Sequence, residues 1–286
     1  MVDRKDRYRR GRERAVVMSK RAGKLYMGLI FVFMYAPIIL LMIFSFNSTK
    51  SRSVWTGFST RWYVRLFNDS EIIHAIQVTV AVALCAAAIS TIIGTAAAIG
   101  LFHMKRRPRR IMMSVNNIPM MNPDIIMGVS LMLMFIFLYR TCHLGFFSLG
   151  FGTLLIAHVT FDTPYVILSV MPKLRQMDKR QYEAARDLGA SNMQSMLRVV
   201  LPQIRDGIIT GAILSFTMSI DDVVVSYFTS GPFSETLGVL IFGMTKKRIS
   251  PEVNALCTLM FAVVLVLLLI INFRELRSSR ASSRKL

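Results

Sequence analysis

The strongest constraint on this chain is a series of long apolar stretches. Hydrophobic residues make up 53% of its 286 residues and charged residues only 18%. Stretches of about 20 residues can cross the roughly 30 Å core of a bilayer as helices. Six qualify: residues 25–46, 75–102, 111–139, 146–171, 207–228 and 253–273. Because the backbone finds no water in lipid, we predict an all-α integral membrane protein with six transmembrane helices.

The basic residues predict how these helices are oriented. A net charge of +19 would suit a nucleic-acid-binding protein if it were spread over a soluble domain. Instead, 27 of the 35 Lys and Arg residues lie in residues 1–24, 103–110, 172–206 and 274–286. Basic residues accumulate on the cytoplasmic side of membrane proteins. Both termini and segment 172–206 are therefore expected in the cytoplasm, as an even number of spans requires, and no nucleic acid is expected as a partner.

Segment 172–206 carries the most specific motif. Glu183-Ala184-Ala185 is followed by Gly189, six positions after the glutamate, and the segment closes with Leu201-Pro202. Glycine ends a helix at low conformational cost, so we expect two short helices that meet at Gly189. An exposed amphipathic element of this kind either packs on the bundle as a connector or docks into a partner's groove. The pattern alone leaves both interpretations open.

Four aspartates lie inside the apolar stretches, where an ionisable group costs at least a few kcal/mol and usually faces a wet cavity or a partner. They are Asp124, Asp162, Asp221 and Asp222. Asp124 follows Pro123 and suits a helix cap or a substrate contact equally well. Asp162 precedes Thr163-Pro164 and is expected to cap a helix that resumes after a break.

A polar stripe singles out one pair of these acids. Ser215, Ser219, Asp222 and Ser226 follow the spacing i, i+4, i+7 and i+11, which places them on one helix face. Such a stripe on an apolar helix predicts the wall of a pathway, with Asp222 as the first candidate for a substrate-facing acid and Asp221 as the second. A hydrogen-bonded pair inside the bundle is the alternative.

The chain resembles the permease subunits of binding-protein-dependent ABC transporters, the MetI-like family. The resemblance begins with the loop motif, in which Val199 replaces the family's isoleucine. From about residue 25 onward, further motifs are similar to those of the spermidine/putrescine permeases in that family. These motifs are Tyr35-Ala36-Pro37-Ile38, Phe44-Ser45-Phe46-Asn47-Ser48, Arg61-Trp62-Tyr63, Pro123-Asp124-Ile125, Ser215-Phe216-Thr217 with Asp221-Asp222-Val223-Val224, and Ser250-Pro251-Glu252-Val253-Asn254-Ala255-Leu256.

The resemblance implies a type I ABC importer permease bundle in the cell inner membrane. The permease domain would span residues 25–273 between the basic tails 1–24 and 274–286. It would form half of a translocation path with a second homologous permease, and an extracytoplasmic polyamine-binding protein would deliver the cargo. The substrate path is expected to include Asp222, Asp221, Ser219, Asp124 and Trp62.

The resemblance also implies coupling to a dimer of cytosolic ATPase subunits through the loop that carries the motif, the EAA loop. The residues expected to couple are Glu183, Ala184, Ala185, Gly189, Leu201 and Pro202. The chain has no phosphate-binding G-x-x-x-x-G-K-[ST] loop, so ATP and Mg belong on the partner and no cofactor is expected here. No catalytic or metal-binding residue is expected either, since the three cysteines are too scattered for a zinc site.

Three alternatives stay open. One is an ABC permease for another small cationic or amino-acid-like solute, because carboxylates and aromatic faces suit cations in general. Another is an intramembrane aspartyl protease, in which two membrane aspartates share a proton. The usual Gly-x-Gly-Asp setting of that class is missing. An ATP-independent channel or scaffold is the third, and the spacing of the EAA loop argues against it.

Overall fold

The computed structural model describes residues 3–49, 54–141, 143–247 and 251–266, and their regular structure is helical apart from one antiparallel bridge between Asn47 and Phe58. The helices are α1 (Asp3–Ser45), α2 (Arg61–Asn68), α3 (Ser70–His103), α4 (Arg106–Met121), α5 (Asp124–Thr141), α6 (Phe151–Gln176), α7 (Lys179–Asp187), α8 (Asn192–Ser195), α9 (Leu201–Asp221), α10 (Val224–Thr229), α11 (Leu237–Lys247) and α12 (Pro251–Val266). A π-helical turn, Met196–Val200, joins α8 to α9, and a 3-10 turn, Gly145–Phe147, precedes α6.

Five helices of the described residues are long and apolar enough to cross a membrane. They are Gly23–Ser45, Ser70–His103, Asp124–Thr141, Phe151–Gln176 and Asn192–Asp221. The all-helical, membrane-type architecture is therefore confirmed. The predicted sixth span, 253–273, begins in α12 and ends outside the described residues. The predicted tail, 274–286, lies entirely outside them. Six spans and cytoplasmic termini stay predictions.

Two of the predicted spans are interrupted. The stretch 111–139 is divided after Met121, and α5 starts only at Asp124. Proline disfavours helical geometry in the residue before it, and Asn122, which precedes Pro123, is extended with ψ 140°. The stretch 207–228 is divided at Asp222, whose ψ of 128° is also extended, and α10 starts at Val224. Proline explains the first break, whereas no proline marks the second.

A break that we expected near Pro164 is absent, because α6 runs without interruption from Phe151 to Gln176. The prediction that Asp162 caps a helix is therefore wrong. Membrane helices tolerate proline when neighbouring helices and hydroxyls supply polar partners to the backbone around it. In the turns before Pro164, the Thr163 hydroxyl donates to the carbonyl of Val159 at 2.6 Å and the Thr160 hydroxyl to that of Ile156 at 2.7 Å, although neither bond reaches the Thr160 carbonyl that the proline frees.

The chain divides into two compact units, residues 1–65 with 249–261 and residues 66–248 with 262–286. In the second unit α3, α6 and α9 pack on one another around a buried apolar cluster. Small residues drive such packing in membranes, because lipid is as apolar as leucine. A Cβ on Gly94 would lie 2.7 Å from Cβ of Val166, and a Cβ on Gly211 would lie 3.1 Å from Cα of Val166. These three helices form the scaffold on which the site is built.

The first unit is organised around Asn47, which is fully buried at the end of α1. Its amide nitrogen donates to the carbonyl of Val54 at 2.9 Å, and its amide oxygen accepts from the backbone N–H of Thr56 at 3.0 Å. The Ser45 and Tyr63 hydroxyls hydrogen-bond at 2.7 Å. These contacts tie the end of α1 to residues 54–56 and to α2.

Candidate functional site

A cavity of about 300 Å³ opens at the two helix breaks of the second unit. Asp124 begins α5, Asp221 ends α9, and Asp222 lies in the break that follows; all three line the cavity. None of the other lining residues is basic: Pro119, Met120, Met127, Phe161, Tyr165, Met218, Val223, Val224 and Val225. The structure thus brings Asp124 together with Asp221 and Asp222, which lie almost 100 residues later in the sequence.

A glycine sets the distance between the two breaks. α10 packs against α5 at Gly128. A Cβ at this position would lie 2.9 Å from Cδ2 of Phe228 and 3.3 Å from Cα of Val225. A larger side chain would therefore push α10 away from α5, and with it Asp222, which is bound to the first turn of α10.

The Asp222 carboxylate is held firmly. One oxygen accepts from the backbone N–H of Val225 at 3.2 Å, and the other accepts from both the N–H and the hydroxyl of Ser226 at 2.7 Å each. The carboxylate thereby satisfies N–H groups that would otherwise lack partners at the start of α10. Only 10% of the side chain is exposed, so Asp222 presents one edge to the cavity.

The other two acids are exposed to the cavity. Asp124 and Asp221 both have exposed side chains, in contrast to Asp222. Phe161 and Tyr165 stand one turn apart on α6 and add two aromatic side chains to the same wall. Ammonium groups bind carboxylates through charge-assisted hydrogen bonds and are attracted to aromatic faces. The chemistry of the cavity therefore suits a cation.

Ser219, which we expected on the substrate path, does not line this cavity. It is buried, and its hydroxyl hydrogen-bonds to Nδ1 of His158 at 2.5 Å. Ser215 is likewise buried and hydrogen-bonds to Ser90 on α3 at 2.7 Å. The serine stripe thus faces the inside of the unit, where it meets α6 and α3.

Asp162 is enclosed on the same inner side. It is fully buried in the middle of α6, and neither carboxylate oxygen makes a hydrogen bond of standard geometry. The hydroxyls of Ser215 and Ser219 are its polar neighbours. No group of three or more His, Cys, Asp or Glu residues in the described part of the chain could hold a metal ion.

Sequence reasoning missed the aromatic wall and the role of one histidine. The spacing of Phe161 and Tyr165, i and i+4, could have signalled a shared helix face. The sequence suggests that His158 is an isolated packing residue. In the structure, however, its ring nitrogens hydrogen-bond to hydroxyls in both α9 and α10. Its position one turn before Asp162 is the signal that could have drawn attention to it.

Trp62 belongs to the first unit. It is only 2% exposed, and its indole N–H donates to the carbonyl of Asn47 at 2.7 Å. The guanidinium of Arg61 lies 4.3 Å from the centroid of its ring. These contacts favour an anchoring role in the loop, and a substrate contact by Trp62 stays a prediction.

The EAA loop begins with a well-terminated helix. α7 carries Glu183, Ala184 and Ala185 and ends before Gly189, whose φ of +86° is in the left-handed region that favours glycine. The N–H of Gly189 donates to the carbonyl of Arg186 at 3.0 Å, and the next N–H, that of Ala190, donates to Ala185 at 3.1 Å. This pair of bonds is the Schellman motif. The predicted helix end at Gly189 is confirmed.

The second helix of the EAA loop is longer than expected. From Asn192 it continues through the π-helical turn into the membrane span, so the prediction of a second short helix is wrong. Pro202 has no N–H to donate, and just before it the N–H of Leu201 reaches back five residues to Met196. The wider turn lets the helix pass the proline. Glu183, Ala184 and Pro202 are exposed, and Leu201 and Ala185 are half-buried.

Comparisons with known proteins agree with this architecture. Residues 90–275 match the family model described as "Binding-protein-dependent transport system inner membrane component". The chain is 41% identical over 245 residues to the spermidine/putrescine transport system permease protein PotC of Haemophilus influenzae, covering 86% of this chain and 93% of that protein. It is 40% identical over 236 residues to the putrescine transport system permease protein PotI of Escherichia coli, covering 82% and 83%.

The fold also matches a solved structure. A chain of a bacterial ABC transporter involved in the import of the acidic polysaccharide alginate superposes with a TM-score of 0.68, at 15% identity, over 88% of this chain and 94% of that chain. That likeness concerns the fold alone. The family model and the two permeases, however, cover most of the sequence. The protein therefore belongs to the family of inner membrane components of binding-protein-dependent transport systems.

Proposed function

We propose that this chain is a permease subunit of an ATP-driven importer of polyamines such as spermidine or putrescine. The observation that carries the proposal is the cavity with three carboxylates, two aromatic side chains and no basic lining residue. A polyamine is a flexible chain of ammonium groups, so several acids can bind it at once. The names of the two permeases with about 40% identity support this cargo over other cations.

In this proposal, Asp221 and Asp124 contact the cargo directly, and Asp222 contributes a fixed charge beside them. The chain forms half of the path, and a second homologous permease forms the other half. An extracytoplasmic polyamine-binding protein delivers the cargo, as the name of the family suggests. The chain itself performs no covalent chemistry.

The EAA loop is proposed to couple this path to a dimer of cytosolic ATPase subunits, which bind ATP and Mg. Its apolar residues are unusually exposed: Leu188 is 89% exposed and Met193 66%. Exposed apolar side chains on a short helical element suit a partner's groove. The proposal includes six spans over residues 25–273 and basic tails, 1–24 and 274–286, on the cytoplasmic side.

The test is uptake by the complete complex, reconstituted in proteoliposomes. Asp221→Asn keeps the size of the side chain and removes its charge. Losing one charge-assisted hydrogen bond in the path should lower spermidine uptake roughly tenfold or more. Glu71→Gln, at the start of α3 and away from the cavity, is the matched control and should retain uptake.

Competition identifies the cargo. Unlabelled putrescine should compete with labelled spermidine, whereas amino acids and anions should not. Competition by an amino acid alone would favour the alternative solute class. Undiminished uptake by Asp221→Asn would remove this carboxylate from the path.

A further inference from the structure

His158 connects three helices in the interior of the second unit. The side chain is fully buried on α6. Its Nδ1 hydrogen-bonds to the hydroxyl of Ser219 on α9 at 2.5 Å, and its Nε2 hydrogen-bonds to that of Ser226 on α10 at 3.0 Å. The two hydroxyls stand on opposite sides of the break at Asp222. The imidazole therefore bridges the end of α9 and the start of α10.

With Asp222 ionised and His158 neutral, these hydrogen bonds run in one direction. The Ser226 hydroxyl donates its proton to the Asp222 carboxylate at 2.7 Å, so its oxygen must accept from Nε2–H of His158. In a neutral imidazole the other nitrogen is then an acceptor, and the Ser219 hydroxyl donates to it. The chain of donors thus runs from Ser219 through His158 and Ser226 and ends on Asp222.

His158 acts on Asp222 through the serine. The distance from Nε2 to the nearest Asp222 oxygen is 3.8 Å, which is too long for a direct hydrogen bond. The same helix, α6, also carries Phe161 and Tyr165, the aromatic residues of the cavity. The bridge therefore fixes the acid relative to the aromatic wall that faces the same cargo.

We propose that His158 is a positioning residue for cation transport, which holds the Asp222 carboxylate in its cavity-facing orientation by donating to Ser226. The inference rests on the proposed place of Asp222 in the substrate path. The inference makes the Nε2–H group of His158 the necessary donor. Without it, the Ser226 hydroxyl would lack a partner on its oxygen and could rotate away from Asp222. Hydrogen bonds from a supporting side chain keep functional groups within a narrow range of geometry.

Two substitutions separate the two nitrogens. Glutamine places its amide nitrogen near the position of Nε2, so His158→Gln keeps a donor to Ser226. Asparagine reaches only to the position of Nδ1, so His158→Asn keeps the bond to Ser219 and loses the one to Ser226. Thr160→Val is the control on the same helix, since that hydroxyl binds only the carbonyl of Ile156 at 2.7 Å.

The experiment measures spermidine uptake and substrate-stimulated ATP hydrolysis by the complete complex in proteoliposomes. His158→Asn should lower uptake roughly tenfold, as expected for a lost buried hydrogen bond. His158→Gln should retain at least half of the uptake, and Thr160→Val all of it. The thermal midpoint of the purified complex should be the same for the two His158 variants. Equal losses in both variants, or normal uptake by His158→Asn, would overturn the inference.

A double-mutant cycle tests whether His158 works through Asp222. In an Asp222→Asn background, adding His158→Asn should cause no further loss, whereas an independent structural role would give the same fold-loss in both backgrounds. If Asp222→Asn alone transports normally, the proposed path fails together with the inference. If Asp222→Asn lowers uptake but His158→Asn causes the same fold-loss in both backgrounds, the inference fails while the proposed substrate path remains supported. Should Asp222→Asn abolish uptake, the contrast between the asparagine and glutamine variants decides.

Discussion

The three cavity carboxylates are not equivalent at the residue scale. Asp222 accepts three hydrogen bonds and exposes little of its surface, whereas Asp124 and Asp221 are exposed. In the sequence, the serine stripe makes Asp222 the first candidate for a substrate-facing acid. In the structure, however, the serines of this stripe are buried inside the unit. Asp222 is therefore held in place, and in the proposed path its neighbours are better placed to follow a moving cation.

Asp162 tests the cost of burying a carboxylate without hydrogen bonds of standard geometry, which is on the order of 1–3 kcal/mol for one unsatisfied polar group. Its oxygens make no standard hydrogen bond. A carboxylate can only accept, whereas an amide can also donate to the oxygens of Ser215 and Ser219. Asp162→Asn should therefore keep or raise the thermal midpoint of the purified complex.

Asp162→Ala serves as the comparison, and it should lower the midpoint because it leaves a cavity between the packed helices. A fall of several degrees in the asparagine variant, equal to that of the alanine variant, would show that the carboxylate has a bonded partner.

At the scale of elements, two interrupted helices build the cavity. α4 and α5 meet at Pro123, and α9 and α10 meet at Asp222. Interrupted membrane helices are tolerated where the freed backbone lines a cavity or is bound by polar groups. Here the Asp222 carboxylate binds the first N–H groups of α10, and Gly128 lets α10 approach α5.

Gly128→Val should disrupt the site. Its side chain would collide with Phe228 and with the backbone at Val225, where even a Cβ lies 2.9 and 3.3 Å away. The displacement of α10 should lower spermidine uptake at least tenfold, by the same reasoning as for a misplaced catalytic group. Gly100→Ala is the control, because nothing lies within 4 Å of a Cβ there. Normal uptake by Gly128→Val would show that the spacing of α5 and α10 is not critical.

Gly189 is expected to support coupling because its φ of +86° strains most residues that have a Cβ. The left-handed conformation costs most residues about 1–2 kcal/mol, and a β-branched residue more. Gly189→Val should therefore reduce substrate-stimulated ATP hydrolysis, while Gly189→Asn should retain most of it, since asparagine tolerates this conformation. Equal stimulation in wild type and Gly189→Val would argue against a docking role for the EAA loop.

At the scale of the whole molecule, the distribution of positive charge predicts how the chain is oriented in the membrane. Most of the 35 basic residues lie in segments predicted to be cytoplasmic. Two exposed residues on opposite predicted sides offer a direct test: Leu188 is 89% exposed and Phe233 is 91% exposed. Their similar exposure makes reagent access, rather than local packing, the variable that differs.

Single cysteines at these two positions should label differently in a cysteine-free background. Phe233→Cys should react with a membrane-impermeant maleimide in intact spheroplasts, and Leu188→Cys only after the membrane is permeabilised. Labelling of Leu188→Cys from outside would reverse the predicted orientation. Labelling of neither residue in intact spheroplasts would contradict the placement of Phe233.

The features that could be predicted from the sequence depend on interactions between residues that are close together in the chain. The length and composition of the apolar stretches predict membrane helices, and the glycine at position 189 predicts the end of α7. The break before Asp124 has a local cause in Pro123. The break at Asp222 has a local part, because the Asp222 carboxylate binds the N–H groups of Val225 and Ser226, and a distant part, the contact of Ser226 with a histidine more than 60 positions away in the sequence.

The sequence by itself determined that this protein is a helical membrane protein with an EAA loop, and it identified Asp124, Asp221 and Asp222 as candidate substrate contacts. Only the tertiary structure decided that Asp124, Asp221 and Asp222 share one cavity while Ser219 and Asp162 face inward. The physical reason is the range of the interactions. Hydrophobic length and glycine conformation act within a few residues, but the face that a helix buries depends on the packing of α3, α6, α9 and α10, whose contacts join distant parts of the chain.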